Sequence, residues 1–263
     1  MTAPSRPLAI ITVLILALII APLIVPVLMS VSDTPYMTFP PKGFTLDWYV
    51  KVLTDPEVHA SLIVSLKLAV TATVGALLLG LPCAMGLVRY RFPGRNFVLG
   101  LVLSPLIVPL LVSGLALLQF FSQMGNRSTF AQLAVGHILI CLPYVVRMVS
   151  ASLLLVNPDL ESAARVMGAS PVQAFRRVVW HQIKPGVAAG TVFAFIVSFD
   201  DFPISMWLSD ATQFPLPLFL QTAISRYFDP SIAAISTLMI IFAIFLIMVM
   251  ELLLGVRVKK LAG

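Results

Sequence analysis

Long apolar runs separated by short polar turns restrict the possible folds of this chain more than any other feature. Residues 8–31 form one such run, and a transmembrane helix needs about 20 apolar residues. Because 59% of the residues are hydrophobic and only 11% are charged, the chain has more apolar surface than a soluble domain can bury. We predict an all-α polytopic membrane protein with six transmembrane helices, at about residues 8–31, 59–88, 97–121, 131–156, 186–209 and 231–255.

The first run has two interpretations, a retained span or a cleavable signal peptide. It is longer than the apolar region of a signal peptide, about 7 to 15 residues, and lacks a small-residue cleavage site, so the sequence favours a retained span. Residues 32–58 are richer in Pro, Asp and aromatic residues, which predicts a loop and a short helix at the membrane interface. With core spans over about 59–255, we expect a single transmembrane domain covering residues 1–263.

Lys and Arg residues are distributed unevenly between the connections. Because cytoplasmic segments of membrane proteins are enriched in these residues, the distribution predicts that both termini and residues 157–185 are cytoplasmic. We attribute the net charge of +6 to this orientation and not to nucleic-acid binding. The residues on the predicted cytoplasmic side are Arg6, Arg89, Arg91, Arg95, Arg147, Arg165, Arg176, Arg177, Lys184, Arg257, Lys259 and Lys260, against Lys42, Lys51, Lys67, Arg127 and Arg226 elsewhere.

Residues 157–185 are the one long charged stretch, and we call this segment the elbow. Asn157 is a good N-cap and Pro158 suits the first helical position, which predicts a short helix from about residue 158. Gly168 predicts the left-handed residue that ends this helix. The elbow therefore begins as a capped helix between two predicted spans.

A second elbow helix is predicted by the same kind of signal. Ser170 followed by Pro171 repeats the cap-and-proline start, and we expect this helix to end near Trp180. The sequence Lys184-Pro185-Gly186 predicts a backbone break before the fifth span. The whole segment is interpreted as a helix-turn-helix between two spans.

The elbow resembles the cytoplasmic signature of the permease subunits of binding-protein-dependent ABC importers, which reads Glu-Ala-Ala, then Gly, then Leu-Pro. Ala163, Ala164 and Gly168 match its spacing, whereas Ser162 takes the Glu position and Trp180-His181 the Leu-Pro position. The resemblance implies a type I importer fold and an ATPase-docking site at Glu161, Ser162, Ala163, Ala164, Gly168 and Ala169.

Further residues resemble the polyamine (spermidine/putrescine) branch of the same family. They are Gly136-His137 and Pro143-Tyr144 before the elbow, and Ser198-Phe199-Asp200-Asp201 after it. The resemblance implies a bacterial inner-membrane permease with four kinds of partner: two ATP-binding cassette subunits, a second and different permease chain, a periplasmic binding protein and the lipid bilayer. It implies that ATP and Mg²⁺ are used in the ATPase, and that this chain binds no cofactor and no nucleic acid.

The chain contains no phosphate-binding loop, no metal-ligand cluster and no nucleophile with a paired base, so we predict that it is not an enzyme and has no catalytic residues. Asp200 and Asp201 instead fall inside the fifth predicted span, where a carboxylate faces a water-filled cavity or a partner. Asp201 shares a helical stripe with Ser198 and Ser205, and we expect this stripe to line the substrate pathway, with Tyr144 beside it.

The arrangement of the two carboxylates leaves alternatives open. Asp200 is expected to pair with a neighbouring helix or the partner subunit, and Pro203 is expected to kink or unwind the helix beside it. In the competing interpretation, both carboxylates are structural caps of a helix end. Lys67 either pairs with Asp200 across the subunit interface or extends its amine toward the periplasmic surface, and His137 is interpreted as hydrogen-bonded packing.

Glycine, proline and cysteine residues within the spans are interpreted as structural. The glycines and prolines predict close helix approach and kinks at Gly75, Gly80, Pro82, Gly86, Gly114, Gly136 and Pro143, and Cys83 and Cys141 are expected to be buried apolar thiols. An anionic lining favours a small organic cation as cargo. An importer of another small solute and a stand-alone secondary transporter remain alternatives, and the capped elbow argues against the latter.

Overall fold

The computed structural model describes residues 6–125, 128–226 and 229–254, and every regular element in this part of the chain is helical. It divides into two compact units, residues 1–60 with 219–263 and residues 61–218. The prediction of one domain stays a prediction. The helices are α1 (Arg6–Met29), α2 (Asp47–Thr54), α3 (Pro56–Arg89), α4 (Arg95–Leu103), α5 (Leu110–Gln123), α6 (Thr129–Leu154), α7 (Pro158–Val166), α8 (Pro171–Ala174), α9 (Trp180–Phe199), α10 (Pro203–Leu208), α11 (Leu216–Arg226) and α12 (Ser231–Leu254).

Five helical segments are long and apolar enough to cross a membrane, and a bent pair makes up to six, which agrees with the prediction. The third span differs from the expected straight helix, because α4 and α5 form an angle of 104°. A 3₁₀ turn at Ser104–Leu106 and Pro109 at the N-cap of α5 separate them. Since a proline lacks the N–H for a helical hydrogen bond and crowds the preceding turn, Pro105 and Pro109 explain the bend.

The first unit contains α1, α2 and α12. The Trp48 indole N–H donates to the carbonyl of Ser32 at 2.8 Å, and the Tyr49 and Ser30 hydroxyls are 2.6 Å apart. These bonds hold α2, the predicted short interfacial helix, against the loop after α1. Lys51 also binds Asp229 at 2.7 Å. Partial burial opposes ionisation of Asp229, but donors from Lys51 and Ser231 outweigh it and lower the pKa of this carboxyl.

The second unit is built around α6. A Cβ at Gly80 would lie 2.8 Å from the side chain of Val145, and one at Gly186 would clash with the Ser152 hydroxyl oxygen. Because neither glycine has a Cβ, α3 and α9 can approach α6 closely, as helices with small residues do in membrane bundles. The close-approach prediction is therefore confirmed for Gly80, and likewise for Gly75, Gly114 and Gly136. It is wrong for Gly86, where a Cβ would meet nothing within 4 Å.

A polar loop after α10 is fixed to the start of α6. The Asp210 carboxylate accepts hydrogen bonds from the hydroxyls of Thr129 and Thr212 and from the Gln213 N–H. These donors stabilise the ionised form, and the bonds from Thr129 and Thr212 lower the pKa of Asp210 to about 2. Hydrogen bonds from neutral donors outside the span thus hold the loop after α10 to the start of α6.

Candidate functional site

The fifth span is interrupted beside the two carboxylates. Helix α9 ends at Phe199, and α10 begins at Pro203. Because Pro203 occupies the first position of α10, its missing N–H costs no intrahelical bond there. The predicted unwinding at Asp200 and Asp201 is confirmed, and we call residues 200–202 the helix break.

Asp201 is enclosed by the second unit and binds the first turn of α10. Its residue is 4% exposed, and Oδ2 accepts from the backbone N–H groups of Ile204 at 3.1 Å and Ser205 at 3.0 Å. The Ser205 hydroxyl donates to the same oxygen at 3.4 Å. This is the geometry of an N-terminal cap, the role that the competing interpretation gave it. The other oxygen, Oδ1, is buried and has no hydrogen-bond partner among the described residues.

His137 of α6 connects both sides of the break. Its Nδ1 lies 2.8 Å from the Ser198 hydroxyl oxygen, and its Nε2 lies 3.2 Å from that of Ser205. The Nε2 is also 3.6 Å from Oδ2 of Asp201. Since the imidazole is 1% exposed, these contacts are shielded from solvent. The interpretation as hydrogen-bonded packing is confirmed, but we did not predict that its partners would be three of the candidate pathway residues.

A sequence signal for this cluster existed on α6. His137, Cys141 and Tyr144 lie at spacings of four and three residues, on one face of the helix. The Cys141 thiol donates to the carbonyl of Ala194 at 3.1 Å, directly opposite the Ser198–Asp201 stripe. Matching the stripes of α6 and α9 would therefore have brought His137 to the break. Cys141 is buried as expected, whereas Cys83 is only half-buried, and both are free thiols.

The burial of the two carboxylates differs from the orientation predicted for Asp201. Asp201 was expected to face an open pathway, yet it is enclosed against α6, whereas Asp200 is exposed and its pairing with the partner subunit stays a prediction. The reason is that the stripe of small residues containing Ser198 and Ser205 packs against α6 and so forms part of the core. No Lys or Arg nitrogen in the described part of the chain lies within 4 Å of the Asp200 carboxylate.

Two further candidate residues lie apart from the buried cluster. Tyr144 stacks on Phe193, with ring centroids 6.5 Å apart and an interplanar angle of 12°. Lys67 is exposed and makes no ion pair with a described carboxylate, and its pair with Asp200 across the subunit interface stays a prediction. No three His, Cys, Asp or Glu side chains of the described residues are grouped so that they could hold a metal ion.

The elbow has the predicted caps. The Asn157 side chain accepts from the N–H of Asp159 at 2.9 Å, and Gly168 has φ +91°, the left-handed conformation that favours glycine. Ser170 and Gln173 form a reciprocal capping box at the start of α8. The first helix and the turn of the elbow are therefore confirmed residue by residue.

The second elbow helix is longer than predicted. The chain is helical without interruption from residue 171 to 199, through a π-helical segment at Phe175–Val179 and past Pro185. The expected end near Trp180 and the expected break at residues 184–186 are wrong. Transmembrane helices tolerate proline through local π adjustments and neighbouring helices, and Gly186 is used here for close contact with Ser152.

The predicted docking residues lie on one exposed turn, with one exception. Ser162, Ala163 and Gly168 are exposed, Ala164 and Ala169 are half-buried, and the exposed apolar side chains of Val166 and Met167 lie beside them. Glu161 instead forms a two-pronged ion pair with Arg89 at the end of α3, with nitrogen–oxygen distances of 2.9 and 3.3 Å. This pair fixes the elbow to the turn between α3 and α4.

Comparison with known proteins identifies relatives over most of the chain. Residues 76–262 match the family described as "Binding-protein-dependent transport system inner membrane component". The spermidine/putrescine transport system permease protein PotC of Escherichia coli strain K12 is 29% identical over 222 residues, 84% of each chain. The sulfate transport system permease protein CysT of Salmonella typhimurium strain LT2 is 35% identical over 166 residues, 59% of this chain and 60% of CysT.

The fold is also that of solved transporters. The crystal structure of a bacterial ABC transporter involved in the import of the acidic polysaccharide alginate superimposes with a TM-score of 0.67. The match covers 98% of this chain and 100% of that chain, at 17% sequence identity. At this identity the likeness establishes the fold alone, which is that of an importer permease and agrees with the predicted class.

Proposed function

Because the chain belongs to the binding-protein-dependent transport system inner membrane component family, and so is a permease subunit of an ABC importer, we propose that its cargo is a small organic cation of the polyamine class. The observation that carries the proposal is the exposed carboxylate of Asp200 at the helix break, which forms no ion pair with the described residues. The 29% identity to PotC, a spermidine/putrescine permease, supports the same cargo class.

The two carboxylates have different roles in this proposal. Asp200 faces the translocation pathway and attracts the ammonium groups of the cargo, as a carboxylate inside a membrane does when it is not enclosed by protein. Asp201, with Ser198 and Ser205, keeps α10 at a fixed angle to α9 and so places Asp200. Tyr144 lies on α6, about two helical turns after His137. Its ring stacks on Phe193 beside the pathway.

A sulfate-like oxyanion is the second candidate cargo, because the 35% identity to CysT favours it. The charge of the break discriminates between the two. An exposed carboxylate attracts an organic cation and repels an oxyanion, and the break contributes no Lys or Arg side chain of its own. The polyamine class is therefore the better supported of the two.

Coupling to ATP hydrolysis is proposed to pass through the elbow. Its exposed apolar side chains, Val166, Met167 and Val172, form the surface that docks on an ATP-binding subunit, where ATP and Mg²⁺ are used. One continuous helix, residues 171–199, runs from Val172 of this surface to the helix break. We infer two such ATPase subunits, a second permease chain and a periplasmic binding protein as partners, with the elbow on the cytoplasmic side.

The chain termini are proposed to lie on that same side, although the C-terminal basic residues Arg257, Lys259 and Lys260 fall outside the described residues, as do the side chain of Arg6 and all of Arg127. Within the described part, the Arg89–Glu161 pair joins two predicted cytoplasmic segments. This contact supports placing these two segments on the same side of the membrane, because segments on opposite sides cannot form an ion pair.

The test is ATPase activity and uptake in proteoliposomes that contain the chain, its co-expressed partners and the cognate binding protein. Spermidine and putrescine should stimulate ATP hydrolysis, and sulfate should not. Asp200→Asn should reduce polyamine uptake by roughly tenfold, since an ion pair with a desolvated ammonium group is lost. Asp159→Asn, at an exposed elbow carboxylate, is the matched control and should keep most of the uptake.

Three outcomes separate the possibilities. Stimulation by sulfate alone would replace the polyamine with the oxyanion. Wild-type uptake by the Asp200→Asn variant, with polyamines still stimulating, would keep the cargo but remove Asp200 from the pathway. If no ATPase subunit assembles with the chain, the proposed coupling through the elbow fails.

A further inference from the structure

A basic cavity lies in the turn between α3 and α4, away from the helix break. It is open to the outside, has a volume of about 350 Å³ and is lined by Arg91, Phe92, Gly94, Arg95 and Asn96. Neither the proposed cargo pathway nor the proposed ATPase contact uses these residues. Their charge and position indicate a separate ligand-binding site.

The three arginines of this turn are engaged in different ways. Arg89 is neutralised by Glu161. The Nε of Arg95 donates to the carbonyl of Leu87 at 2.6 Å, which fixes its guanidinium group at the cavity while leaving its charge unpaired. Arg91 is exposed and makes neither an ion pair nor a hydrogen bond to the described residues. Two arginines whose charge is not neutralised within the described residues therefore line the same cavity, which favours binding of an anion there.

The backbone adds to the positive potential. Gly94, with φ +81°, turns the chain into α4, and no side chain of the described residues caps the first turn of this nine-residue helix. The first N–H groups of an α-helix have no intrahelical acceptor, and that of Asn96 belongs to a residue that lines the cavity. Together with the Asn96 side-chain amide, it offers neutral donors beside the two arginines. This donor set suits a phosphate group.

Apolar surface surrounds these donors. Tyr90 is 66% exposed and Phe97 is 74% exposed; they immediately precede and follow the lining residues in the sequence, and Phe92 is itself a lining residue. Aromatic side chains at the end of transmembrane helices lie at the level of lipid headgroups, with the rings toward the acyl chains. A soluble phosphate would leave these rings in water, whereas a phospholipid would cover them.

We propose that this cavity binds the phosphate of an anionic phospholipid in the leaflet on the elbow side of the membrane. Arg91 and Arg95 contact the phosphate, and Tyr90 and Phe97 contact the upper acyl chains. Basic pockets between transmembrane helices at the cytoplasmic surface are suited to such headgroups. Because Arg89 in the same turn is bound to Glu161, the lipid would sit next to the fixed end of the elbow. The site is independent of the identity of the cargo.

The test is native mass spectrometry of the full-length chain with its partners, released from nanodiscs that contain equal amounts of phosphatidylglycerol and phosphatidylcholine. The wild type should retain phosphatidylglycerol in preference. Arg91→Gln should lower that retention about fivefold, the effect of one basic group near an anionic lipid surface. Arg91→Lys should retain most of it, because the charge is kept. Arg176→Gln, an exposed arginine of the elbow, removes the same charge elsewhere and should leave retention unchanged.

The proposal is overturned if the wild type retains both lipids equally, or if Arg91→Gln and Arg176→Gln reduce retention to the same extent. Competition with inorganic phosphate is the last part of the test. If millimolar phosphate displaces the lipid from the wild type, the cavity is a general phosphate site and the assignment to a lipid is wrong. Since none of these readouts involves transport, failure here leaves the proposed cargo untouched.

Discussion

The turn of the elbow at Gly168 and the helix break lie near opposite ends of one continuous helix, residues 171–199, and are held by different kinds of contact. In the elbow, the capping bonds join near neighbours, such as Asn157 with Asp159. At the break, Asp201 also binds near neighbours, but His137 adds bonds from a second helix, because it contacts Ser198 and Ser205 at separations of 61 and 68 residues. The backbone of the elbow turn is therefore shaped by local bonds, whereas the shape of the break also depends on how α6 packs.

The two regions also differ in what they expose. Val166 at the elbow is 89% exposed, whereas Asp201 at the break is 4% exposed. A change at the elbow should alter what the chain binds and leave the bundle folded. A change at the break should first destabilise the bundle. Substitutions matched between the two regions can test this difference.

The largest effect is expected at the enclosed carboxylate. Asp201→Ala leaves the N–H groups of Ile204 and Ser205 without their acceptor, which should lower the free energy of unfolding by about 3 kcal/mol. The measurement is thermal unfolding of the purified chain in detergent. Asp200→Ala is the matched control at an exposed carboxylate and should cost less than about 0.5 kcal/mol. Equal losses for the two variants would show that the break is not held by its buried bonds.

An intermediate effect is expected at the turn of the elbow. Gly168→Val places a β-branched residue at φ +91°, which should cost about 1 to 2 kcal/mol within the elbow. Co-purification of the ATPase subunits should fall, while thermal unfolding of the bundle stays near that of the wild type. Gly86→Val, at a helical glycine with open space around it, is the control. Unchanged co-purification of Gly168→Val would count against the docking role.

The smallest effect is expected for the ion pair that joins the elbow to α3. The Arg89 and Glu161 side chains are 26% and 24% exposed, so solvent screens their attraction. A double-mutant cycle with Arg89→Gln and Glu161→Gln should give a coupling energy of about 0.5 kcal/mol in thermal unfolding. A coupling above about 2 kcal/mol would mean that the elbow is fixed as firmly as the break, and the contrast between the two regions would fail.

This contrast also explains what could be predicted. The first helix and the turn of the elbow were predicted residue by residue because their signals, Asn157 with Pro158, Gly168, and Ser170 with Pro171, act within one helical turn. The location of the break was predicted for the same reason, since Pro203 acts on the adjacent backbone. The orientation of Asp200 and Asp201 was not, because it depends on which face of α9 packs against α6.

Two other errors have physical causes of the same kind. The effect of a proline depends on its surroundings: Pro109 lies at the N-cap of α5 after a 3₁₀ turn, whereas Pro185 lies inside a continuous helix. At Pro185 the π-helical segment upstream and the close contact of Gly186 with α6 support the backbone. Neither neighbour is visible in the local sequence. The contacts of His137 with Ser198 and Ser205 were found only in the structure, because His137 lies on the partner helix α6.

The uninterrupted helix from the elbow to the break has a mechanical consequence. Its 29 residues make a rod about 44 Å long at 1.5 Å per residue. Tilting such a rod by roughly 5° about one end moves the other end by about 4 Å, most of one helical turn. A displacement of that size exceeds the length of a hydrogen bond. In the proposed function, a small rocking of the elbow would therefore be enough to move the Asp200 carboxylate out of reach of a bound cation.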